Sequence, residues 1–170
     1  SSAASDVYKR QISDAITSLG KMLRYSMKWM TGTVTVEEEI TYISNYLKLL
    51  NLRFDYEIYL SLNIPEEISH MQIPKMLLQP LVENSIYHGM KVKEGKTGTL
   101  YLTAYKNEDE VIIKVSDTGT GMSQEQIDEM NEQLSRYEDS FGYGVRNVNK
   151  RIELLFGAGY GLNYPVSYTH

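Results

Sequence analysis

The chain has 170 residues, a net charge of −5 and no cysteine. That length suits one full domain plus a small appendage, and the missing thiols exclude disulfides and thiolate metal sites. Lys and Arg are scattered rather than clustered, so nucleic acid, which needs a basic face, is not an expected partner. No run approaches the roughly 20 apolar residues of a membrane span, and no secretory leader is visible; the chain reads as soluble, attached to a parent that need not be.

Residues 1–11 lack apolar periodicity, and 165–170 interrupt a strand that has just begun, so both ends read as boundary sequence. Ile12, Ile16, Leu19, Leu23 and Met30 repeat at helical spacing, with Ser26 in one apolar slot, which predicts an amphipathic helix over 12–30. Gly32 interrupts it. Thr35 and Glu38 have the spacing of a capping box. The helix they open carries Val36, Ile40, Ile43, Leu47, Leu50 and Phe54, a four-three alternation that makes a seam. Such a hairpin has more apolar stripe than one partner covers. Two fates are open: packing onto the chain's own globular part, or self-association into a four-helix bundle, the second being the working expectation.

Residues 56–64 alternate apolar and polar, as a half-buried strand does. Pro65 ends it. Pro74 stands where the next helix is expected to begin, and Pro80 lies inside that helix or restarts it, so its first turn should be kinked. At 100° per residue, Leu78, Val82, Ser85, Ile86 and Gly89 gather on one side, while Pro80, Asn84, His88 and Lys91 fall on the other. After a charged loop over 91–98, strands over 99–105 and 111–116 flank a turn at 107–110 and should form a hairpin. Ser123 and Gln126 make a second capping box, opening a helix with Ile127, Met130 and Leu134 inward. A polar, mobile stretch over 135–141 precedes a last helix over 144–156, with Val145, Val148, Ile152 and Leu155 inward and Gly157 as its stop. Residues 160–164 read as a short strand.

The chemistry gathers in three places. The amide oxygen of Asn84 can serve as one ligand of a hard divalent cation, with phosphates and water supplying the rest. Asp117 follows Val111, Ile113 and Val115 on one strand face, so its carboxylate sits at the rim of a core and needs donors; an exocyclic amine such as adenine N6 is one. Gly119 and Gly121 allow close approach of a flat ring or a positive φ. Gly142 and Gly144 precede a helix start, where free amides favour a phosphate. Other readings fail. Gly95-Lys96-Thr97 resembles a P-loop end, but Met90 stands where a glycine is required. No strand leads into Gly142, so there is no Rossmann fingerprint, and His70 and His88 are too few and too far apart for zinc.

In this order the motifs resemble a known family. From about Leu19 to Leu162 the chain resembles the C-terminal part of a sensor histidine kinase of the LytS/YesM type, in the superfamily of gyrase, heat-shock chaperone, histidine kinase and mismatch-repair ATPases. Residues 78–89 resemble its N box, 117–122 (Asp117 to Met122) its G1 box and 142–147 its G2 box. Leu23 to Tyr25, Glu37 to Ile40, Tyr46-Leu47 and Arg53-Phe54 resemble its dimerisation helices. The resemblance implies a two-layer α/β sandwich of the Bergerat type with a mixed sheet, preceded by a helical hairpin: dimerisation helices over 12–54 and an ATP-binding domain over 55–164. It implies ATP and Mg2+ as cofactors, with Asn84 on the metal, Glu83 orienting beside it, and His88, Gly142, Gly144 and Asn147 at the phosphates. Asp117 would read adenine, with Gly119, Gly121 and Met122 lining the nucleotide.

The implied activity is phosphorylation of a histidine by ATP, then transfer to a response-regulator aspartate. The implied partners are a response regulator and a second copy joined through the hairpin, in the cytoplasm, with a parent anchored in the bacterial cell membrane. Two departures stand out. The family's phosphoacceptor His lies in a Pro-His-Phe type motif that this chain lacks, and the last strands expected after Leu162 are missing; ATP binding without self-labelling is therefore expected. Two rivals remain. An ATP-hydrolysing clamp of the same superfamily needs a general-base Glu four residues before Asn84, where Pro80 stands. A non-catalytic dimerisation module with a decayed pocket is opposed by the intact Asn84, Asp117, Gly119, Gly121, Gly142 and Gly144.

Overall fold

Thr35 opens the helix on which the fold is assembled. Its hydroxyl accepts the Glu38 N–H at 3.1 Å while the Glu38 carboxylate accepts the Thr35 N–H at 3.0 Å, the reciprocal cap that its spacing predicts. The structure is a computed structural model that describes residues 2–27, 32–90, 97–135, 145–157 and 159–164. In chain order its elements are α1 (Ser2–Met27), β1 (Thr33–Thr35), α2 (Val36–Phe54), β2 (Glu57–Asn63), α3 (Glu66–Ser69), β3 (Gln72–Pro74) and α4 (Gln79–Asn84). A π-helical turn (Ser85–Met90) follows, then β4 (Thr97–Asn107), β5 (Glu110–Asp117), α5 (Gln124–Ser135) and α6 (Val145–Phe156).

The seam of α2 is covered by its own chain. Val36, Ile43, Leu47 and Leu50 are buried in one cluster with Leu77, Leu78 and Val82 at α4 and with Leu100 and Leu102 of β4. Phe54, expected in the seam, is 45% exposed. Five of the six seam residues, Val36, Ile40, Ile43, Leu47 and Leu50, thus pack against the chain's own core instead of standing open for a second copy as the bundle expectation required. Asn45, on the opposite flank of α2, is also buried, as befits a helix covered on both sides, with α1 packed along it.

α1 begins at Ser2, ten residues before the expected start. Ala3, Ala4, Lys9, Arg10 and Gln11 are good helix formers, and a nucleated helix extends cheaply through them. The missing periodicity reflects exposure, not loss of helix. Ile12, Ile16 and Leu19 remain 42%, 66% and 51% exposed, while Ser18 is buried, so these three apolar side chains face away from the packed side of α1.

β2, β4 and β5 form a three-stranded mixed sheet in the order β2-β4-β5, the first pair parallel and the second antiparallel. Leu60 pairs with Leu100 and Leu100 with Asp117, so these three form one row across the inner face. Behind them Leu102 and Ala104 pack inward, whereas Tyr59, Tyr101 and Tyr105 on the other face are exposed. One covered face and one open face make a two-layer α/β sandwich. The hairpin turn is tighter than 107–110: Glu108 and Asp109 suffice, with Glu108 at φ 50°.

Short elements depart most from sequence expectation. β1 and β3 pair antiparallel, Val34 opposite Ile73, which ties the start of α2 to the segment entering α4. Pro74 therefore ends a strand and does not start a helix. α4 starts five residues later, with Pro80 in its first turn, where a missing N–H costs nothing. Residues 160–164 do not form the expected strand. They are held by side chains instead: Asn131 donates to the Tyr164 carbonyl and accepts its N–H, both at 3.1 Å, and Asn149 accepts the Leu162 N–H at 2.7 Å. Gly157, at φ 101°, stops α6 as expected.

Candidate functional site

Three backbone segments converge at the end of the inner sheet face. The π-helical turn brings Gly89 over Asp117, the last residue of β5, and the turn after β5 brings Gly119 against Gly89. Asp117 is half-buried, and its Oδ1 accepts the Gly119 N–H at 2.8 Å. Thr120 donates its N–H to the Gly89 carbonyl at 3.4 Å. Thr118 is pinned to β4, its hydroxyl accepting the Thr99 N–H at 3.0 Å and its own N–H reaching the Thr99 carbonyl at 3.2 Å. Asp117 thus points from a fixed turn, with one oxygen satisfied locally and the other left for a donor.

The glycines have unequal reasons. Gly121 has φ 73°, which favours glycine. A Cβ on Gly119 would strike the Gly89 carbonyl, so the space a side chain would need at Gly119 is filled by the chain's own backbone. Gly98 of β4 likewise makes room for the Met90 sulfur at the end of the π-helical turn. Met122 is half-buried one residue beyond Gly121.

Glu83 and Asn84, both half-buried, sit in the last turn of α4. Glu83 accepts a hydrogen bond from Gln79 Nε2 at 3.3 Å. Gln79 is itself 1% exposed, and its Oε1 has no hydrogen-bond partner. Leu78 begins α4 without a side-chain cap of its own; instead the fully buried Glu39 of α2 accepts its N–H at 3.1 Å. Tyr42, one turn beyond Glu39, has its phenol pKa raised, first by burial and then by the Glu83 and Glu39 carboxylates. Sequence reading missed this polar group behind Asn84, although Glu39 shares the helical phase of Val36 and Ile43 and a core-facing carboxylate is a signal in itself.

His88 lies in the π-helical turn by its backbone, and Asn147 in the first turn of α6; their side chains, together with Gly142 and Gly144, lie outside the described residues. His70 is exposed and lies 3.8 Å from both Glu37 and Glu66. Among the described residues no group of three or more His, Cys, Asp or Glu could hold a metal ion. The amide oxygen of Asn84 would suit a Mg2+ ion held mainly by phosphates and water. The glycine-lined carboxylate at the sheet end fits an exocyclic amine.

The histidine kinase family description matches residues 1–58, and that of the histidine kinase-, DNA gyrase B- and HSP90-like ATPases matches residues 72–166. The chain belongs to the histidine kinase-, DNA gyrase B- and HSP90-like ATPase family, whose fold binds ATP. It is similar to the sensor histidine kinase YesM of Bacillus subtilis (strain 168), 32% identical over 154 residues, covering 91% of this chain and 25% of that protein. It is also similar to the sensor protein kinase HptS of Staphylococcus aureus (strain USA300), 34% identical over 144 residues, covering 84% and 27%. Among solved structures it is similar to the histidine kinase domain from Erythrobacter litoralis EL346 blue-light activated histidine kinase, at 13% identity and a TM-score of 0.45, covering 84% of this chain and 65% of that one. The chain spans about a quarter of the length of these curated relatives. Among the described residues no helix is long and apolar enough to cross a membrane.

Proposed function

We propose that this chain is the ATP-binding portion of a sensor histidine kinase, one that uses MgATP to phosphorylate a histidine for transfer to a response-regulator aspartate. The observation that carries the reading is Asp117, fixed by the Gly119 N–H with its second oxygen unclaimed by that bond, in a chain whose relatives are named sensor kinases. Asp117 takes the adenine amine. Asn84, on the last turn of α4, takes Mg2+, and Glu83 orients groups around it. His88, Gly142, Gly144 and Asn147 would contact the phosphates, while Gly121 and Met122 would border the base. Mg2+ would neutralise phosphate charge, and the protein's share is positioning. The clamp reading is disfavoured because Pro80, in the first turn of α4, cannot act as a base. We further propose a homodimer through the outward stripe of α1 and a cytoplasmic placement beneath a membrane-anchored parent.

The test is Asp117→Asn, measured by calorimetry with ATP and with ADP. The amide replaces an acceptor pair by one acceptor and one donor, a mismatch of about 1–3 kcal/mol. Both nucleotides should weaken alike, because the base is common to both. A loss confined to ATP would move Asp117 to the phosphate end and refute its role.

A further inference from the structure

Gly89 is the next-to-last residue of the π-helical turn that continues α4, and its backbone is outside the left-handed region that favours glycine. Any residue could adopt that conformation, so the demand for glycine there is one of space. A Cβ at Gly89 would lie 2.6 Å from each carboxylate oxygen of Asp117 and 2.8 Å from its Cγ. The carboxylate fills the volume a side chain would need.

We propose that Gly89 is a positioning residue for base recognition: the absence of its side chain lets the Asp117 carboxylate lie where it meets the nucleobase. This rests on the reading of Asp117 as the adenine contact. The two glycines that flank the carboxylate differ in what they protect. At Gly119 an added Cβ meets the Gly89 carbonyl, which is backbone and cannot step aside without moving the whole turn. At Gly89 the obstacle is the Asp117 carboxylate, a side chain that escapes by a χ rotation at the loss of its bond to the Gly119 N–H. An alanine at 89 therefore spares the fold and spoils the recognition, whereas an alanine at 119 spoils both. The same arrangement links the two motifs mechanically, since Thr120 also holds the Gly89 carbonyl: a shift of the π-helical turn displaces the carboxylate that reads the base.

The experiment is a double-mutant cycle of Gly89→Ala with Asp117→Ala, read by thermal melting and by calorimetric titration with ATP and ADP. Gly89→Ala should melt close to wild type, well above Gly119→Ala, and weaken both nucleotides by the same factor of about ten or more. In the Asp117→Ala background, the change at 89 should weaken neither nucleotide further and should carry no melting cost, because the colliding atoms are gone. Should Gly89→Ala fail to fold, refolding of the double variant supports the steric relation and its continued failure overturns it. Unchanged affinity in Asp117→Ala would defeat the adenine reading itself. Full loss in Asp117→Ala with wild-type affinity in Gly89→Ala would defeat the positioning role alone.

Discussion

The carboxylate of Glu39 accepts the backbone N–H of Leu78 at 3.1 Å, joining two residues 39 positions apart in a fully buried setting. Glu39 belongs to the helix that resembles a dimerisation element, and Leu78 begins the helix that carries Asn84. The N-terminus of a helix is where a carboxylate is most welcome, so part of the cost of burying Glu39 is offset there. The entry to the candidate site is thus held from α2.

Glu39→Ala should cost about 1–3 kcal/mol in urea unfolding, the penalty for a buried N–H left without its acceptor. Glu39→Gln keeps an acceptor oxygen and should cost clearly less. Equal losses for the two variants would show that the Leu78 bond contributes nothing.

The two apolar stripes of the hairpin should respond oppositely to charge. Ile43 is fully buried, and Ile43→Asp should destabilise the fold by about 3 kcal/mol or more, because an unpaired carboxylate enters the core. Ile12→Asp with Ile16→Asp should leave the melting temperature nearly unchanged and shift sedimentation from dimer to monomer. A wild-type chain already monomeric at high concentration would refute dimerisation through α1.

Asn84→Ala should remove the Mg2+-dependent part of ATP binding while leaving the circular dichroism unaltered, since Asn84 is only half-buried. Identical calorimetric affinities for wild type and variant in Mg2+ would rule out the metal role.

Alkaline stability should depend on two phenols. Burial raises the pKa of Tyr164, and burial followed by the Glu83 and Glu39 carboxylates raises that of Tyr42. The folded state therefore holds these protons more tightly than the unfolded chain. The stabilisation is complete below the ordinary value of 10.0 and is lost as pH climbs through the raised folded values. Melting temperatures measured from pH 9 upwards should fall less steeply above about pH 10 in the Tyr42→Phe, Tyr164→Phe double variant. Parallel declines would contradict the shifts.

Features that depend on neighbours along the chain could be read from the residues alone. The capping boxes at Thr35 and Ser123 form as their spacing requires, because a cap needs only residues three apart. The β4–β5 hairpin and the α6 stop at Gly157 were legible for the same reason. The Asp117 row was legible from alternation along one strand, and the order of motifs pointed to the ATPase family that the comparisons establish. Which partner each surface meets was set by the folded arrangement. A four-three seam looks the same whether a second copy or the chain's own α4 covers it, since burial of apolar area is non-directional; the fold gave Val36, Ile43, Leu47 and Leu50 to the intramolecular core. β1 and β3, three residues each and separated by α2, β2 and α3, have no local signature because each is stabilised by the other. The Glu39–Leu78 bond and the exclusion of a Cβ at Gly89 are likewise relations across dozens of residues, set by how α2, α4 and the sheet close on one another.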